Sequence, residues 1–218
     1  MIVYEFDAYA SIGETLSFSQ GRKEAMRKKY VIAICMGLML IYSCSYDVSK
    51  KGTYMKSYYE ALKKTDRQDM PYLKAESDEE KKAITQFREF YQVFSEEKIR
   101  SSVRILYRED AYFRDGFREV QGIDAIEEYF VSSTEAFFDC RFDIQDVAVH
   151  DGNYYFRWIM TLVLKRNKDN PVEAVGMSHV RFDEKGKIIF HQDYWDTGVI
   201  YEQVPLLGPI ITWIRQKV

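Results

Sequence analysis

The run from Gly176 to Asp196 constrains the fold of this chain more than any other stretch. Val180 and Phe182 alternate with His179, Arg181 and Asp183, the period of a half-buried strand. Asp183-Glu184-Lys185-Gly186 is turn chemistry, and Lys187 to Trp195 returns as a second strand rich in Ile, Phe, Tyr and Trp. Side chains on a strand alternate between faces, so His191, Asp193 and Trp195 share one face and Gln192, Tyr194 and Asp196 the other. A His, an Asp and a Trp on one face make either a site or an unusually polar core.

The rest of the chain supplies the other layer. Ile84, Phe87, Phe90, Tyr91 and Phe94 form an i, i+3, i+4, i+7 stripe on a helix that begins near Ser77. A shorter helix is expected over Glu96 to Tyr107, with Ile99, Val103 and Leu106 at helical spacing. Ala111–Asp115 and Phe117–Gln121 read as a short hairpin bent at Gly116, followed by a helix from Gly122 with Ile123, Ile126, Phe130 and Phe137 inward. From Phe142 the pattern turns to strands: 142–150, a turn at Asp151-Gly152-Asn153, 154–165, a loop at 167–171, then the opening pair. This order predicts an α+β fold with a curved antiparallel sheet wrapped around three helices. Near the end, Pro209 sits at a first helical position; the apolar side of the helix that follows is expected to dock on the domain or on a partner subunit.

The first 82 residues read differently. Met26-Arg27-Lys28-Lys29 runs into an uncharged apolar stretch from Tyr30 to Tyr42, the n-region and h-region of a signal peptide. Ile41-Tyr42-Ser43-Cys44 resembles a bacterial lipobox and makes Cys44 the expected lipidated residue; the alternative is an uncleaved N-terminal membrane helix. Three segments follow: 1–43 as a spurious extension plus signal peptide, 44–82 as a charged tether with one helix over Met55–Lys64, and 83–218 as the domain. The expected location is the bacterial cell envelope.

Several classes are excluded. A net charge of −3, with Lys and Arg spread along the chain, gives no basic field to collect nucleic acid. Three histidines without metal-ligand spacing and three unpaired cysteines leave no metal site and no disulfide framework, and nothing calls for a cofactor. Cys140 has no activating partner in sequence, His150 is a turn residue, and Arg157 is expected in solvent or at a dimer face.

The stripe from Phe87, the strand Phe113-Arg114-Asp115, the run Gly122-Ile123-Asp124-Ala125-Ile126 and Ser178 to Ile188 resemble the nuclear transport factor 2-like superfamily, and within it the SnoaL-like group. The tail His191 to Asp196, followed by Tyr201-Glu202 and Pro205 to Gly208, is similar to a bacterial branch of that group. The resemblance implies a cystatin-like cone with a deep apolar pocket, a fold that hosts isomerases, cyclases, hydrolases and non-enzymes. Matched to the ketosteroid isomerase pattern, the general base falls on Asp115, the oxyanion-donating tyrosine on Tyr91 and the protonated acid on Ser178. The same register puts Trp195 in the pocket wall, with Val180 and Trp158 as further wall residues. Asp193 and His191 are then either a titrating pair beside the base or a buried, mutually satisfied pair that orders the strand. Three functions remain open: a pocket protein for a small apolar or aromatic molecule, a cofactor-independent acid/base enzyme, and a dimerising interaction domain.

Overall fold

The computed structural model describes residues 49–68 and 70–218. Contacts divide the chain after Met55, and of the first unit only the opening turns of one helix are described. The stretch read as a signal peptide, the lipobox-like run and Cys44 lie outside the described residues.

Helix α1, Ser49–Lys64, starts two turns earlier than expected. Helix α2, Asp78–Gln92, is capped by the Ser77 hydroxyl, which accepts from the Glu80 N–H at 3.2 Å. It buries Phe87, Phe90 and Tyr91 of the stripe read from the sequence; Ala83 is buried where Ile84 was expected, Ile84 is half-buried, and the buried Phe94 lies past the end of the helix. Helix α3, Glu96–Leu106, buries Ile99, Val103 and Leu106. Tyr107 does not end that helix; it is the first residue of strand β1, Tyr107–Arg114. A turn leads to β2, Glu119–Gln121, and then to helix α4, Ile123–Ser133. Strand β3 begins at Phe137, earlier than expected, and runs to His150. Asp151 and Gly152 both take left-handed backbone angles, φ 48° and 72°, the two-residue turn whose twist matches that of paired strands.

Strand β4, Asn153–Leu164, leads into β5, Asn167–Phe182, so the loop expected at 167–171 is strand. Leu164 pairs with Asn167, and the ladder slips between Leu162 and Leu164. Pro171 sits opposite that slip, where its missing N–H breaks no regular ladder bond. Strand β6, Ile188–Trp195, completes a six-stranded sheet in the order β2-β1-β6-β5-β4-β3. Its pairings are antiparallel except one: β1 lies parallel to β6, with Phe113 beside His191. The sheet is therefore mixed, within the expected α+β class.

One face of the sheet packs on α2, α3 and α4, where Phe87 stacks on Phe156 with centroids 4.0 Å apart. Within the stretch read as a tether, Leu73 is 3% exposed and belongs to that core. On the other face Ala61 of α1 packs with Tyr112 and Phe190, and Arg181 reaches from β5 to the Leu62 carbonyl at 2.7 Å.

After a short helix α5, Gly198–Tyr201, the chain ends in helix α6, Gly208–Lys217, with Pro209 in its first turn. Its apolar side does not dock on the domain: Ile210, Trp213 and Ile214 are 54%, 60% and 44% exposed. The helix is held by ion pairs from Arg215 to Asp196 and Glu202, at 2.7 Å and 3.3 Å.

Candidate functional site

The concave face of the sheet and helices α2 and α4 enclose a cavity of about 330 Å³. Its wall is mostly aromatic, with Phe94, Phe113, Phe142 and Trp158 prominent, and aliphatic where Met160 and Leu162 contribute from β4. Trp195 and Phe117 meet edge to face at 5.4 Å on the same wall. Two other concavities, beside Arg67 and beside Arg88, are lined largely by polar and charged side chains.

The alternation on β6 places His191 and Asp193 on the inner side, as expected, and the structure joins them. His191 Nε2 lies 2.8 Å from Asp193 Oδ1. The register of β5 on β6 puts Ser178 opposite Asp193, and the Ser178 hydroxyl donates to the same oxygen at 2.5 Å. Trp158 donates its indole N–H to Ser178 Oγ at 3.0 Å. On the far side of the imidazole, Tyr107 Oη is 2.5 Å from Nδ1, and Tyr91 Oη is 2.6 Å from Tyr107 Oη and 3.4 Å from Nδ1.

The donors order this row. A carboxylate only accepts, so Nε2 carries hydrogen toward Asp193, and in the neutral ring Nδ1 is left to accept from the Tyr107 hydroxyl. Tyr107 oxygen then accepts from Tyr91. Burial, ahead of the nearby Asp193 charge, pushes both phenols far above their usual range, so both stay hydroxyl donors.

Asp115 follows the last residue of β1 and opens the turn to β2, with its N–H on the Arg118 carbonyl at 3.0 Å. Its Oδ1 accepts from the N–H groups of Phe117 and Arg118 at 2.7 Å and 2.8 Å, and its Oδ2 from the Tyr129 hydroxyl at 2.5 Å. Burial raises its pKa against these three hydrogen bonds, and the Asp193 charge adds to the rise. The folded value therefore exceeds the unfolded one. The ionised carboxyl costs stability at neutral pH, and that cost vanishes once the pH drops below the ordinary carboxylate range. Asp115→Asn should raise Tm at pH 7 and leave it unchanged at about pH 3; a lower Tm at pH 7 in a thermal melt would contradict this.

Tyr91, Asp115, Asp193, Trp158 and Trp195 all line the cavity. Ser178 and Val180 do not. The Ser178 hydroxyl is held between Trp158 and Asp193, and Val180 is fully buried in the core opposite His191 in the ladder. Tyr91 does not stand alone as a donor, since its hydroxyl is engaged with Tyr107. Tyr107 and Tyr129 were not legible as site residues: the first lies at a helix-to-strand junction, and the second sits between the core positions Ile126 and Phe130 of α4. The one signal for Tyr129 is its place on the same helix face as Ile126, three residues away.

Other titratable groups lie elsewhere. His179 faces the opposite side of the sheet, 2.8 Å from Asn153 Oδ1 and stacked on Tyr155. The Cys140 thiol, on the cavity wall, is pushed up to about 12 by burial, so it is no nucleophile at neutral pH. Among the described residues no group of three His, Cys, Asp or Glu side chains is placed to hold a metal ion.

Residues 87–191 match the SnoaL-like domain family. The chain carries a SnoaL-like domain. His191 is the last residue of that match, so Asp193 and Trp195 lie just beyond it. No curated protein matches the chain. Among solved structures, a protein from Jannaschia sp. CCS1 described as a SnoaL-like polyketide cyclase is 13% identical, with a TM-score of 0.50, covering 62% of this chain and 97% of its own. A protein described as a polyketide cyclase from Acidithiobacillus ferrooxidans is 20% identical over 62% of this chain and 99% of its own, with a TM-score of 0.48. One from Catenulispora acidiphila with a ketosteroid isomerase-like fold, in complex with trimethylamine, is 12% identical over 58% and 95%, with a TM-score of 0.49. At these identities the likeness is one of fold, and the chemistry of the SnoaL-like domain has to be argued from its own residues.

Proposed function

We propose that the SnoaL-like domain is a small-molecule pocket for a small apolar or aromatic ligand, displayed at the bacterial cell envelope. The observation that carries the reading is the aromatic-walled cavity of about 330 Å³ with a few buried polar groups converging on it. Its volume is at the low end of ligand sites, which favours a compact molecule. The test is a ligand screen by native mass spectrometry, followed by filling of the cavity. Leu164→Trp, at a half-buried wall position, should weaken a hit about a hundredfold, or ~2.7 kcal/mol, while circular dichroism stays unchanged. A hit whose affinity is insensitive to that change binds elsewhere.

The envelope part of the reading rests on the sequence around Met26 to Cys44. Intact mass of protein extracted from bacterial membranes should show diacylglyceryl on Cys44 as the first residue. Retention of Tyr30 to Ser43 would replace the lipid with a helical anchor.

A second reading, acid/base catalysis without a cofactor, is favoured by the ordered row from Tyr91 to Asp193. Asp115 would act as base, Tyr91 as hydrogen-bond donor, and His191 with Asp193 as the pair that moves or tunes a proton. A positioned base contributes about a hundred- to ten-thousand-fold, so turnover of a bound ligand that survives Asp115→Asn would remove this reading and leave the first.

A further inference from the structure

The cavity carries a charge pattern that narrows the ligand class. Asp115 and Asp193 are the charged residues on its lining, and among the described residues no Lys, Arg or His joins them. The hydrogen-bond donors on the wall are nearly all engaged. Tyr91 bonds to Tyr107, Tyr129 to Asp115, Ser133 to the Phe130 carbonyl and Trp158 to Ser178. Asp193 Oδ2, by contrast, has no hydrogen bond from any described residue, since Ser178 and His191 both address Oδ1.

An anionic ligand would therefore meet two carboxyls and few free donors, the Trp195 indole N–H among them. A neutral ligand would leave one carboxylate oxygen desolvated without a partner, which is costly away from water. A cation answers both deficits, and the aromatic faces of Trp158, Phe142 and Trp195 add attraction of the kind that aromatic boxes offer to ammonium groups.

We propose that the ligand of this site is an organic ammonium ion of one or two rings, with Asp193 Oδ2 as its counter-charge. This rests on the pocket reading above and adds charge to it. The raised pKa of Asp115 comes mainly from burial and to a smaller extent from the Asp193 charge, and a bound cation would offset both.

The experiment uses the full chain at pH 7.5 and an isosteric set, namely benzyltrimethylammonium, its uncharged carbon isostere neopentylbenzene and phenylacetate, with the corresponding naphthylmethyl compounds as a larger series. Binding is read by calorimetry and by quenching of tryptophan fluorescence, since Trp158 and Trp195 both lie on the wall. The ammonium member is expected to bind at least about tenfold more tightly than its neutral isostere, with the carboxylate member weakest. Asp193→Asn should erase the preference for charge, weakening the ammonium member and tightening the neutral one, which no longer desolvates a carboxylate oxygen; if that variant fails to fold, Asp115→Asn carries the same test with a severalfold loss of the preference. Neutral members that bind as tightly as the ammonium ones, or a carboxylate that binds best, overturn the inference and leave the pocket reading intact. Failure of both series overturns the pocket reading, and the inference with it.

Discussion

His191→Ala is expected to lower the stability of the domain by about 3–5 kcal/mol. The imidazole is 0% exposed and fills a space between Phe87, Tyr91, Tyr107 and Phe113. Removing it opens a void, takes the Tyr107 hydroxyl's acceptor away and leaves Asp193 Oδ1 with Ser178 alone. The polar part can be separated from the packing part. His191→Phe restores most of the volume but none of the hydrogen bonds, and should still cost about 1–3 kcal/mol in urea unfolding. Wild-type stability for His191→Phe would mean that packing accounts for the whole effect and that the row is incidental.

The second large effect is a loss of stability in acid that traces to His179 on the opposite face of the sheet. Burial, ahead of the charge of Arg181, lowers its pKa from 6.5 to about 4. Above pH 6.5 the ring is neutral folded or unfolded and contributes no pH dependence. As the pH falls from there toward 4, the unfolded chain takes a proton that the folded one refuses, and stability drops by a total of about 3 kcal/mol. Below that range both forms are protonated and the loss levels off. His179→Gln can keep the contact to Asn153 yet does not titrate, so its urea midpoint should fall less steeply across this window than that of the wild type. Parallel curves would assign the acid sensitivity to carboxylates instead.

What was legible in the sequence follows from local periodicity. The spacing of Phe87, Phe90 and Tyr91 announces one buried helix face, and the alternation on β6 puts His191, Asp193 and Trp195 on one side of the strand. Partner choice is a different matter, because a strand pattern does not say which strand lies beside it. Nothing local in Tyr107–Arg114 distinguishes an antiparallel from a parallel neighbour, so the β1–β6 pair, and with it the approach of Tyr107 to His191, was hidden. The direction of the Ser178 hydroxyl was hidden for a related reason. A serine facing inward can donate to a ligand or to a neighbour, and only the register with Asp193 and Trp158 decides. The turn at Lys165-Arg166 carries no Gly, Pro, Asn or Asp, while Asn167 and Pro171, which look like loop residues, lie in β5. The helix at the end of the chain is legible as a helix from Pro209, but its three exposed apolar side chains depend on what lies near them in space, which no periodicity records.

The parallel contact between β1 and β6 also governs the order in which the molecule can assemble. Strand β2 and helix α4 follow β1 closely and can form beside it, whereas β6 is synthesised last of the strands, and the Tyr107–His191 bond closes a sequence separation of 84 residues. Loop closure over such a distance has an entropic cost that β3 to β5 reduce by hairpin steps, each bringing the next strand alongside the last. On the ribosome, β1 and its neighbours would wait with one edge open until β6 emerges and zips between β1 and β5. The cavity then gains Asp193 and Trp195 in the same event that closes the sheet, so no partly made chain carries the finished cavity.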